Sequence, residues 1–528
     1  MALHYSLLDE PLIRTRLAAD GKPGAHTLPG LFVALRNDEI RDFPALRPHQ
    51  RHPWHAFLVQ LAAIAIHRAG VTAPFTDESA WRDALLALTP DDPDGAAWCL
   101  ISPSYQPAFM QPPVPGESVE KWRNYIQAPD ELDMLVTSKN HDLKAVRMTM
   151  ALPDDWLLAL LSLQTQEGFL GAGNYGISRM NGGFASRPAL GAVPRGNWGR
   201  RWYQDINVLL DNRSEIIERH ELSDDGIALV WTLAWDGTKS IAFGSLDPFY
   251  IEICRRIRLV SSNDVIVAYA TGSKVARIEA KQLNGQTGDP WTPINISDAK
   301  ALSLGGKGFD YKLAAELVFG IGNYRKTITQ VIHEEDGTES HVILAQGVTR
   351  GQGKTEGYHE RRIPLSPKVR RLLIRKQTDQ LAATAEKRIK EIAGMRAVLW
   401  GALATLFDNG DVKERFSDGA KDKANRFTKP FELSEDHRFF TELNAEIEAD
   451  DQEQAHLDWL LSMAERAEAT LKRAFDAGPR SSEQRYRARA AALSRFHGTL
   501  RGDKSPLTDL RDYYRELKMH KETEHDFA

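Results

Sequence analysis

The sequence predicts an α+β fold, with a large mixed α/β domain followed by a helical bundle. From residue 227 to about 350, runs rich in β-branched residues alternate with Gly/Asp turns, as in IALVWTLAW and VIVAYATGSKVARIEAK. From Ser366 onward, amphipathic stretches rich in Ala, Leu, Glu, Lys and Arg replace them. A chain of 528 residues exceeds the size at which single cores stop growing, about 250–300 residues. We therefore predict two domains, 1–365 and 366–528.

Four regular segments precede the strand-rich region: a strand at 5–15, a short helix at 27–35, a long helix at 52–70 and a helix at 154–164. The apolar residues of the long helix are too dense for a single face, so we expect this helix to be buried. His52, His55 and His67 flank it without a carboxylate at ligand spacing. We therefore expect satisfied or exposed histidines and no metal site.

Four amphipathic stretches make up the C-terminal region, and turn sequences (DNGD, FTKP and AGPRSS) separate them. Ser434, followed by Glu435 and Asp436, has the features of a helix start. Helices with such short connections pack as an antiparallel four-helix bundle. We place them at 367–406, 434–449, 451–477 and 481–499.

Composition limits the function classes. Lys+Arg number 67 against 72 Asp+Glu, a net charge of −5, so any nucleic-acid site must be local. Cys99 and Cys254 form no CxxC pair, which argues against a zinc ribbon and a disulfide framework and fits a reducing cytoplasm. The N-terminal residues have no apolar signal region, and the longest apolar run is too short to span a bilayer. We expect a cytoplasmic protein with no membrane association.

A glycine-rich stretch runs from Gln166 to Arg201. It holds nine glycines and five arginines, and Glu167 is its only acidic residue. Glycine lets a ligand approach the main chain closely, and arginine supplies donors for phosphate. This composition suits a nucleic-acid backbone, although a long surface loop is the alternative. No strand followed by a helix surrounds GAGNYG, so a dinucleotide-binding fingerprint is set aside.

A second basic segment, TRGQGKTEGYHERR, occupies 349–362. It groups Arg350, Lys354, Arg361 and Arg362 around a glutamine between two glycines. A glutamine at a loop tip projects an amide, and basic neighbours could hold phosphates on either side. A solvated linker is the alternative. Before it, HEED at 333–336 is typical of a hairpin tip rather than a metal site.

Enzyme motifs are absent from the sequence: there is no GxxxxGK[ST], HExxH or GxSxG pattern. We therefore expect no catalytic residues, no cofactor and no metal. Two other readings stay open, a nucleic-acid-processing enzyme with an unrecognised site and a purely structural scaffold subunit.

Several short motifs, in order along nearly the whole chain, resemble the CasA family, the large subunit of the type I-E CRISPR Cascade complex. They are LLDEPLI, LPGLF, IHRAG, AFMQP, the glycine-rich stretch, DPWTPI and GQGK before ERR, followed by the bundle. The resemblance implies a non-catalytic subunit that recognises the protospacer-adjacent motif in double-stranded DNA. It also implies that the subunit starts strand separation and helps recruit a helicase–nuclease. The implied fold is a mixed α/β domain followed by a four-helix bundle.

The resemblance also implies specific DNA contacts. It places a minor-groove loop at GAGN, with Gly182 and Gly183 as a second cluster. A glutamine wedge that parts the strands maps to Gln352 and Gly353, beside Lys354. A lysine finger maps to Lys274, in a region that departs from members with paired cysteines. The residues of the minor-groove loop are Gly171, Ala172, Gly173 and Asn174.

Further contacts concern other partners. The family's loop that meets the 5′ end of the guide RNA and a neighbouring Cascade subunit maps to Thr137–Arg147, with Lys139, Asn140 and His141 at its tip. Basic residues at the start of the bundle could guide the displaced DNA strand, although a solvated charged face is the alternative. They are Lys368, Arg370, Arg371, Arg375 and Lys376.

Overall fold

The computed structural model describes residues 4–114, 116, 118–133, 135, 148, 150–181, 187–263, 265–333, 341–351, 354–411 and 415–526. The chain divides into two compact units. The first comprises Met1–Phe309 with Asn323–Ile363, and the second comprises Asp310–Gly322 with Pro364–Ala528.

The described residues of the first unit form five α-helices: α1 Leu28–Arg36, α2 Arg51–Arg68, α3 Glu78–Ala87, α4 Pro153–Gln166 and α5 Trp198–His220. The side chain of Thr27 caps α1 by accepting the Gly30 N–H at 2.9 Å. Every residue of α2 from His52 to Ile66 is buried, as its apolar density predicts. α2 packs against α4 and α5 and forms the centre of the core.

The strands of the first unit are short and form sheets of two or three strands within the described residues. They are β1 His4–Ser6, β2 Ile13–Leu17, β3 Pro23–His26, β4 Ile40–Asp42, β5 Cys99–Ile101, β6 Asn124–Ile126, β7 Ala189–Pro194, β8 Ile227–Leu229, β9 Ile241–Ala242, β10 Leu246–Ile251, β11 Arg256–Ser262, β12 Val265–Thr271, β13 Ile278–Glu279, β14 Ile294–Asn295, β15 Lys300–Ala301, β16 Tyr324–Arg325, β17 His341–Gly351 and β18 Lys354–Leu365.

Two sheets support the regions singled out in the sequence. β11, β12 and β6 form one antiparallel sheet, in which β12 pairs along its whole length with β11. β18, β17 and β7 form another, in which His341 to Gln346 pair antiparallel with Ala189 to Pro194. β12 ends shortly before Lys274 in the sequence, and β17 ends directly before Gln352.

The first unit differs from its predicted elements in three places. The predicted strand at 5–15 is broken after Ser6, because the Glu10 side chain accepts the Ser6 N–H at 2.8 Å and closes a turn. The predicted strand at 227–235 ends at Leu229 and continues as a 3₁₀ turn. The helix α5 was not predicted; it is an amphipathic helix of 23 residues that buries Trp202, Ile206 and Leu209.

The second unit is helical, and its helices are α6 Tyr311–Phe319, α7 Pro367–Ile374, α8 Asp379–Phe407, α9 Asp418–Glu448, α10 Gln452–Arg473, α11 Ser482–Arg501 and α12 Thr508–Asp526. The long helices α8 to α11 pack against one another as the four-helix bundle. The predicted fold class is therefore confirmed.

The bundle helices begin and end differently from the prediction. The predicted helix 367–406 is two helices, α7 and α8. FTKP is not a turn, because α9 continues through Pro430, and Ser434 lies inside it. The buried side chains of Thr428, Phe431 and Glu435 hold this helix together across the proline. The last helix, α12, was not predicted.

The five basic residues at the start of the bundle do not share one exposed face. Lys368, Arg370 and Arg371 lie on α7, whereas Arg375 and Lys376 follow its end. Arg370 is buried, and Arg371, Arg375 and Lys376 are exposed. The prediction of a single guiding surface is therefore wrong for Arg370. Among the described helices, none combines the length and the apolar character needed to cross a bilayer.

Candidate nucleic-acid interface

A compact loop after α4 forms the centre of the candidate interface. We call residues 168–176 the glycine loop. The buried guanidinium of Arg255 lies beneath it and donates hydrogen bonds to the carbonyl oxygens of Gly168, at 2.8 Å, and Tyr175. The side-chain oxygen of Gln164 accepts the Cys254 and Arg255 N–H groups at 2.9 and 2.8 Å. One buried side chain of α4 therefore fixes the position of the arginine that closes the loop.

Backbone hydrogen bonds hold the tip of the glycine loop. The Leu170 N–H donates to the Asn174 carbonyl at 2.9 Å, and the Asn174 N–H donates to the Gly171 carbonyl at 3.0 Å. Ala172 and Asn174 are exposed, while Gly171 and Gly173 are half-buried. The loop therefore presents a small methyl group and an amide side chain to solvent.

The glycine loop lies against the turn that follows β12. We call residues 271–275 the lysine turn. The Ser273 N–H donates to the Gly173 carbonyl oxygen at 3.0 Å, and the Tyr175 hydroxyl donates to the Lys274 carbonyl oxygen at 2.9 Å. The Lys274 N–H donates to the Gly237 carbonyl at 2.7 Å, and its side chain is exposed. The structure therefore brings Lys274 beside the GAGN segment.

The two glycines of GAGN have different surroundings. Gly171 has φ of +116°, and a Cβ added there would meet no atom within 4 Å. Gly173 has φ of +87°, and an added Cβ would lie 3.6 Å from the Gly272 Cα. Gly173 therefore packs against the lysine turn, and its main chain is not bare. Gly171 alone of the pair faces open space.

Two of the five arginines in the glycine-rich stretch are unavailable to DNA. Arg179 is buried and donates to Glu252 at 3.0 Å, and its guanidinium lies 3.7 Å from the centre of the Tyr250 ring. Arg187 is also buried and pairs with Asp289. The expectation that arginines throughout this stretch supply phosphate donors is therefore wrong for these two, which neutralise buried carboxylates. Arg195 and Arg200 are exposed.

The basic segment at 349–362 spans two adjacent strands of one sheet. β17 ends at Gly351 and β18 begins at Lys354. The predicted wedge, Gln352 and Gly353, lies outside the described residues. The Thr349 hydroxyl and the His359 Nε2 are 3.0 Å apart and join the two strands. The predicted contact residue Lys354 starts the second strand.

The predicted guide-RNA contacts also lie outside the described residues, namely Lys139, Asn140 and His141, as do Gly182 and Gly183. The chain before them is held by ion pairs. Asp133 accepts from Arg47 at 2.7 Å and lies 2.9 Å from His49 Nε2. Burial alone would raise the pKa of Asp133, but the hydrogen bond from His49 and the charges of His49 and Arg47 lower it to about 2.

Sequence reasoning missed the residues that organise this interface. Gln164, Tyr175 and Arg255 make the closing hydrogen bonds, and of these only Tyr175 lies in the glycine-rich stretch. The only signal is the pair Arg255–Arg256 directly after an apolar strand, where buried charge requires a partner. The hydrogen-bond partners of Arg255 lie up to about a hundred residues away in the chain, and the sequence does not show that these segments meet.

The histidines that flank α2 differ in their surroundings. His55 Nε2 lies 2.7 Å from Asp205, as expected of a satisfied core histidine. His52 is buried and its ring nitrogens have no hydrogen-bond partner among the described residues, so the expectation of a satisfied or exposed histidine is wrong for His52. In the described part of the second unit, Glu391, His456 and Asp509 lie within 4.8 Å of one another. Burial would lower the pKa of His456, but hydrogen bonds to Glu391 and Glu446 raise it to about 9. A protonated imidazole between two carboxylates accounts for this group as an ion-pair network.

Solved structures with this architecture identify the fold. Cse1 from Acidimicrobium ferrooxidans matches with a TM-score of 0.67 at 16% identity, over 97% of this chain and 99% of that one. The chain has the fold of the Cse1/CasA proteins. CasA (Cse1) from Thermus thermophilus matches with a TM-score of 0.63 at 16% identity, over 94% and 99% of the two chains. A chain of a CRISPR RNA-guided surveillance complex matches with a TM-score of 0.51 at 15% identity, over 93% and 100%.

These matches extend over the whole Cse1/CasA fold and not over one part of it. No protein-family model matches the sequence, and no curated protein sequence is significantly similar to it. At such low identity the likeness concerns the arrangement of the backbone. Function is therefore inferred from the glycine loop, the lysine turn and the strands on either side of the predicted wedge.

Proposed function

We propose that this chain is the non-catalytic large subunit of an RNA-guided antiviral complex and recognises the protospacer-adjacent motif in double-stranded DNA. The observation that carries the proposal is the contact between the glycine loop and the lysine turn. It brings the segment that carries the exposed Ala172 and Asn174 against the turn that carries the exposed Lys274. The Cse1/CasA fold, found also in a surveillance complex, supports the same assignment.

The chemistry of this surface suits the minor groove of DNA. That groove is narrow, about 6 Å wide, and presents mainly acceptors, so its readout distinguishes A·T from G·C pairs. A loop of small residues can enter it, the Asn174 amide can donate to its acceptors, and Lys274 can contact a phosphate. Recognition of this kind is permissive, and we expect several motifs to be accepted.

The remaining steps of the proposed function involve other residues and partners. Gln352 and Gly353, in the connection between β17 and β18, would enter the duplex and part the first base step, which costs a few kcal/mol of stacking. Guide pairing then reads the target sequence. Lys139, Asn140 and His141 would contact the 5′ end of the guide RNA and a neighbouring subunit, and the complex would recruit a helicase–nuclease. The chain would work in the cytoplasm.

The test is R-loop formation by the reconstituted guide-containing complex on duplexes that differ only in the base pairs beside the target. Ala172→Glu should bring affinity for preferred motifs down to that of motif-less DNA, because it adds a negative charge at an exposed position without changing a glycine. Wrong base pairs should cost about 1–3 kcal/mol each in the unmodified complex and nothing in the variant. Replacing Gln352 and Gly353 with alanine should leave motif-dependent binding intact and slow strand separation.

Glu221→Gln, at an exposed site on the first unit, serves as the neutral control. Unchanged motif ranking in Ala172→Glu would refute the assignment of the glycine loop. Motif-independent binding by the unmodified complex would favour the purely structural scaffold. DNA cleavage by the isolated chain with a divalent metal would favour the enzyme.

A further inference from the structure

A second cationic site lies in the first unit, in a cavity of about 330 Å³. Its walls come from β4, the first turns of α2 and α5, and the strands β17 and β18. None of its lining residues belongs to the glycine loop or the lysine turn. Ligand pockets commonly measure about 300–1,000 Å³, so this cavity is matched to a small ligand and excludes a duplex.

Arginine dominates the polar lining of the cavity. Arg41, Arg51, Arg201 and Arg362 line it, and Asp42 is the only acidic residue among the lining residues. Asp42 already lies 3.7 Å from Arg16, outside the cavity. Four guanidinium groups around one small cavity repel one another, and nearby carboxylates such as Asp42 and Glu360 offset only part of their charge. The lining therefore predicts an anionic ligand.

Arg201 is the most enclosed of these arginines. Its side chain is 13% exposed, and its Nε has no hydrogen-bond partner among the described residues. The nearest carboxylate is Asp205 at 3.8 Å, beyond hydrogen-bond distance, and Asp205 already accepts from His55 and Trp291. Burial and the charge of Arg362 lower the pKa of Arg201. A buried N–H group without a hydrogen-bond partner is stabilised when a ligand oxygen accepts a hydrogen bond from it.

The exposed arginines are held at the rim by a neighbouring carboxylate. Glu360 lies 3.2 Å from Arg362 and 3.7 Å from Arg51. Because Arg51 and Arg362 are both substantially exposed, these contacts are weak and can be exchanged for a phosphate. Two exposed arginines and one enclosed arginine can thus surround three oxygens of a phosphate monoester.

An aromatic side chain lies beside the cations. Trp198, at the start of α5, lines the cavity and is half-buried, and the edge-to-face contact of its ring with Phe43, with centroids 4.9 Å apart, fixes its plane. Aromatic rings stack on nucleobases of any identity, with about 1–3 kcal/mol per base. A nucleotide carries a phosphate and a base, and the arginines beside the fixed indole ring offer a contact for each.

We propose that this cavity binds one nucleotide, with its phosphate on Arg51, Arg201 and Arg362 and its base against Trp198. The nucleotide is either free or the terminal unit of a single strand. This site is separate from the proposed motif interface, and its test does not depend on a reconstituted complex.

The test is calorimetric titration of the 528-residue chain with adenosine 5′-monophosphate, adenosine and inorganic phosphate. Adenosine 5′-monophosphate should bind about tenfold or more tightly than either fragment, since each lacks one set of contacts. Arg51→Gln and Arg362→Gln should each weaken nucleotide binding by about tenfold. Trp198→Leu should weaken binding of the nucleotide and leave that of phosphate unchanged.

Two further variants separate binding from folding. Arg201→Lys keeps a cation near Asp205 but loses the guanidinium fork, so it should weaken nucleotide binding while its circular dichroism stays unchanged. Arg219→Gln, an exposed arginine at the other end of α5 paired with Glu215, should have no effect. Competition by a 5′-phosphorylated oligonucleotide, stronger than by the free nucleotide, would identify the end of a strand as the ligand; the reverse order would identify the free nucleotide.

Three results would overturn the proposal. They are no saturable nucleotide binding at millimolar concentration, equal affinity for phosphate and nucleotide, and unchanged affinity in both Arg51→Gln and Arg362→Gln.

Discussion

The N–H of Ser273 donates a hydrogen bond to the carbonyl oxygen of Gly173 across 3.0 Å, joining two turns a hundred residues apart in the chain. The contact favours glycine on each side, because Gly173 has φ of +87° and a Cβ at Gly272 would lie 3.3 Å from the Gly173 Cα. The relative position of Asn174 and Lys274 therefore depends on a pair of glycines.

Gly272→Ala tests this dependence. The added methyl group must push the glycine loop away by a few tenths of an ångström, so we expect a loss of about 1 kcal/mol in the free energy of unfolding. Gly305→Ala is the control, since a Cβ there meets nothing within 4 Å. Thermal unfolding and motif-dependent DNA affinity are measured together. If Gly272→Ala matches the control in both, the two turns act independently.

Lys274→Ala should leave stability within about 0.5 kcal/mol, because the side chain is exposed and the backbone hydrogen bonds remain. If Lys274 contacts a phosphate, the slope of log affinity against log salt should fall by about one unit. Target binding by the assembled complex is measured across a salt series. Lys307→Ala removes the same charge from an exposed site, and an equal change of slope in both variants would contradict a specific contact.

His456 should make the stability of the helical unit depend on pH. Hydrogen bonds to Glu391 and Glu446 raise its pKa to about 9 in the folded chain, against about 6.5 when unfolded. The stabilisation is therefore complete below pH 6.5 and disappears as pH rises through 9. Thermal unfolding from pH 6 to 10 should show His456→Gln destabilised by about 1–3 kcal/mol at low pH, with the difference shrinking above pH 9.

His437→Gln, at an exposed position on α9, provides the baseline for that measurement. A difference between His456→Gln and the unmodified chain that stays constant from pH 6 to 10 would contradict protonation of His456 as its origin.

Local patterns predicted much of the fold. The apolar residues of α2 leave it without a polar face, which predicts a helix buried on all sides. The structure shows such a helix. The course of α9 through Pro430 could not be predicted, because local propensity disfavours it and only packing in the bundle compensates. The same reasoning explains why Arg179 and Arg187 were misassigned: their partners, Glu252 and Asp289, are distant in sequence.

The candidate interface was predictable only in part. The GAGN segment could be found from its composition, and Lys274 only from the resemblance to the CasA family. Their contact could not be derived from spacing, because it depends on β12 ending beside the glycine loop. The role of Arg255 could not be derived for the same reason, since its hydrogen bonds to Gly168 and Tyr175 exist only in the folded chain.

The attachment of the glycine loop by Arg255 has a consequence for how this surface can diversify. The Arg255 side chain donates hydrogen bonds to both ends of the loop, at Gly168 and Tyr175. Gly171 and Ala172, at the tip, take no part in these bonds. Side-chain exchanges at the exposed Ala172 therefore leave both ends of the loop and the backbone hydrogen bonds of its tip in place. On the proposed function, a few such exchanges would change the DNA preference of the chain without a new fold.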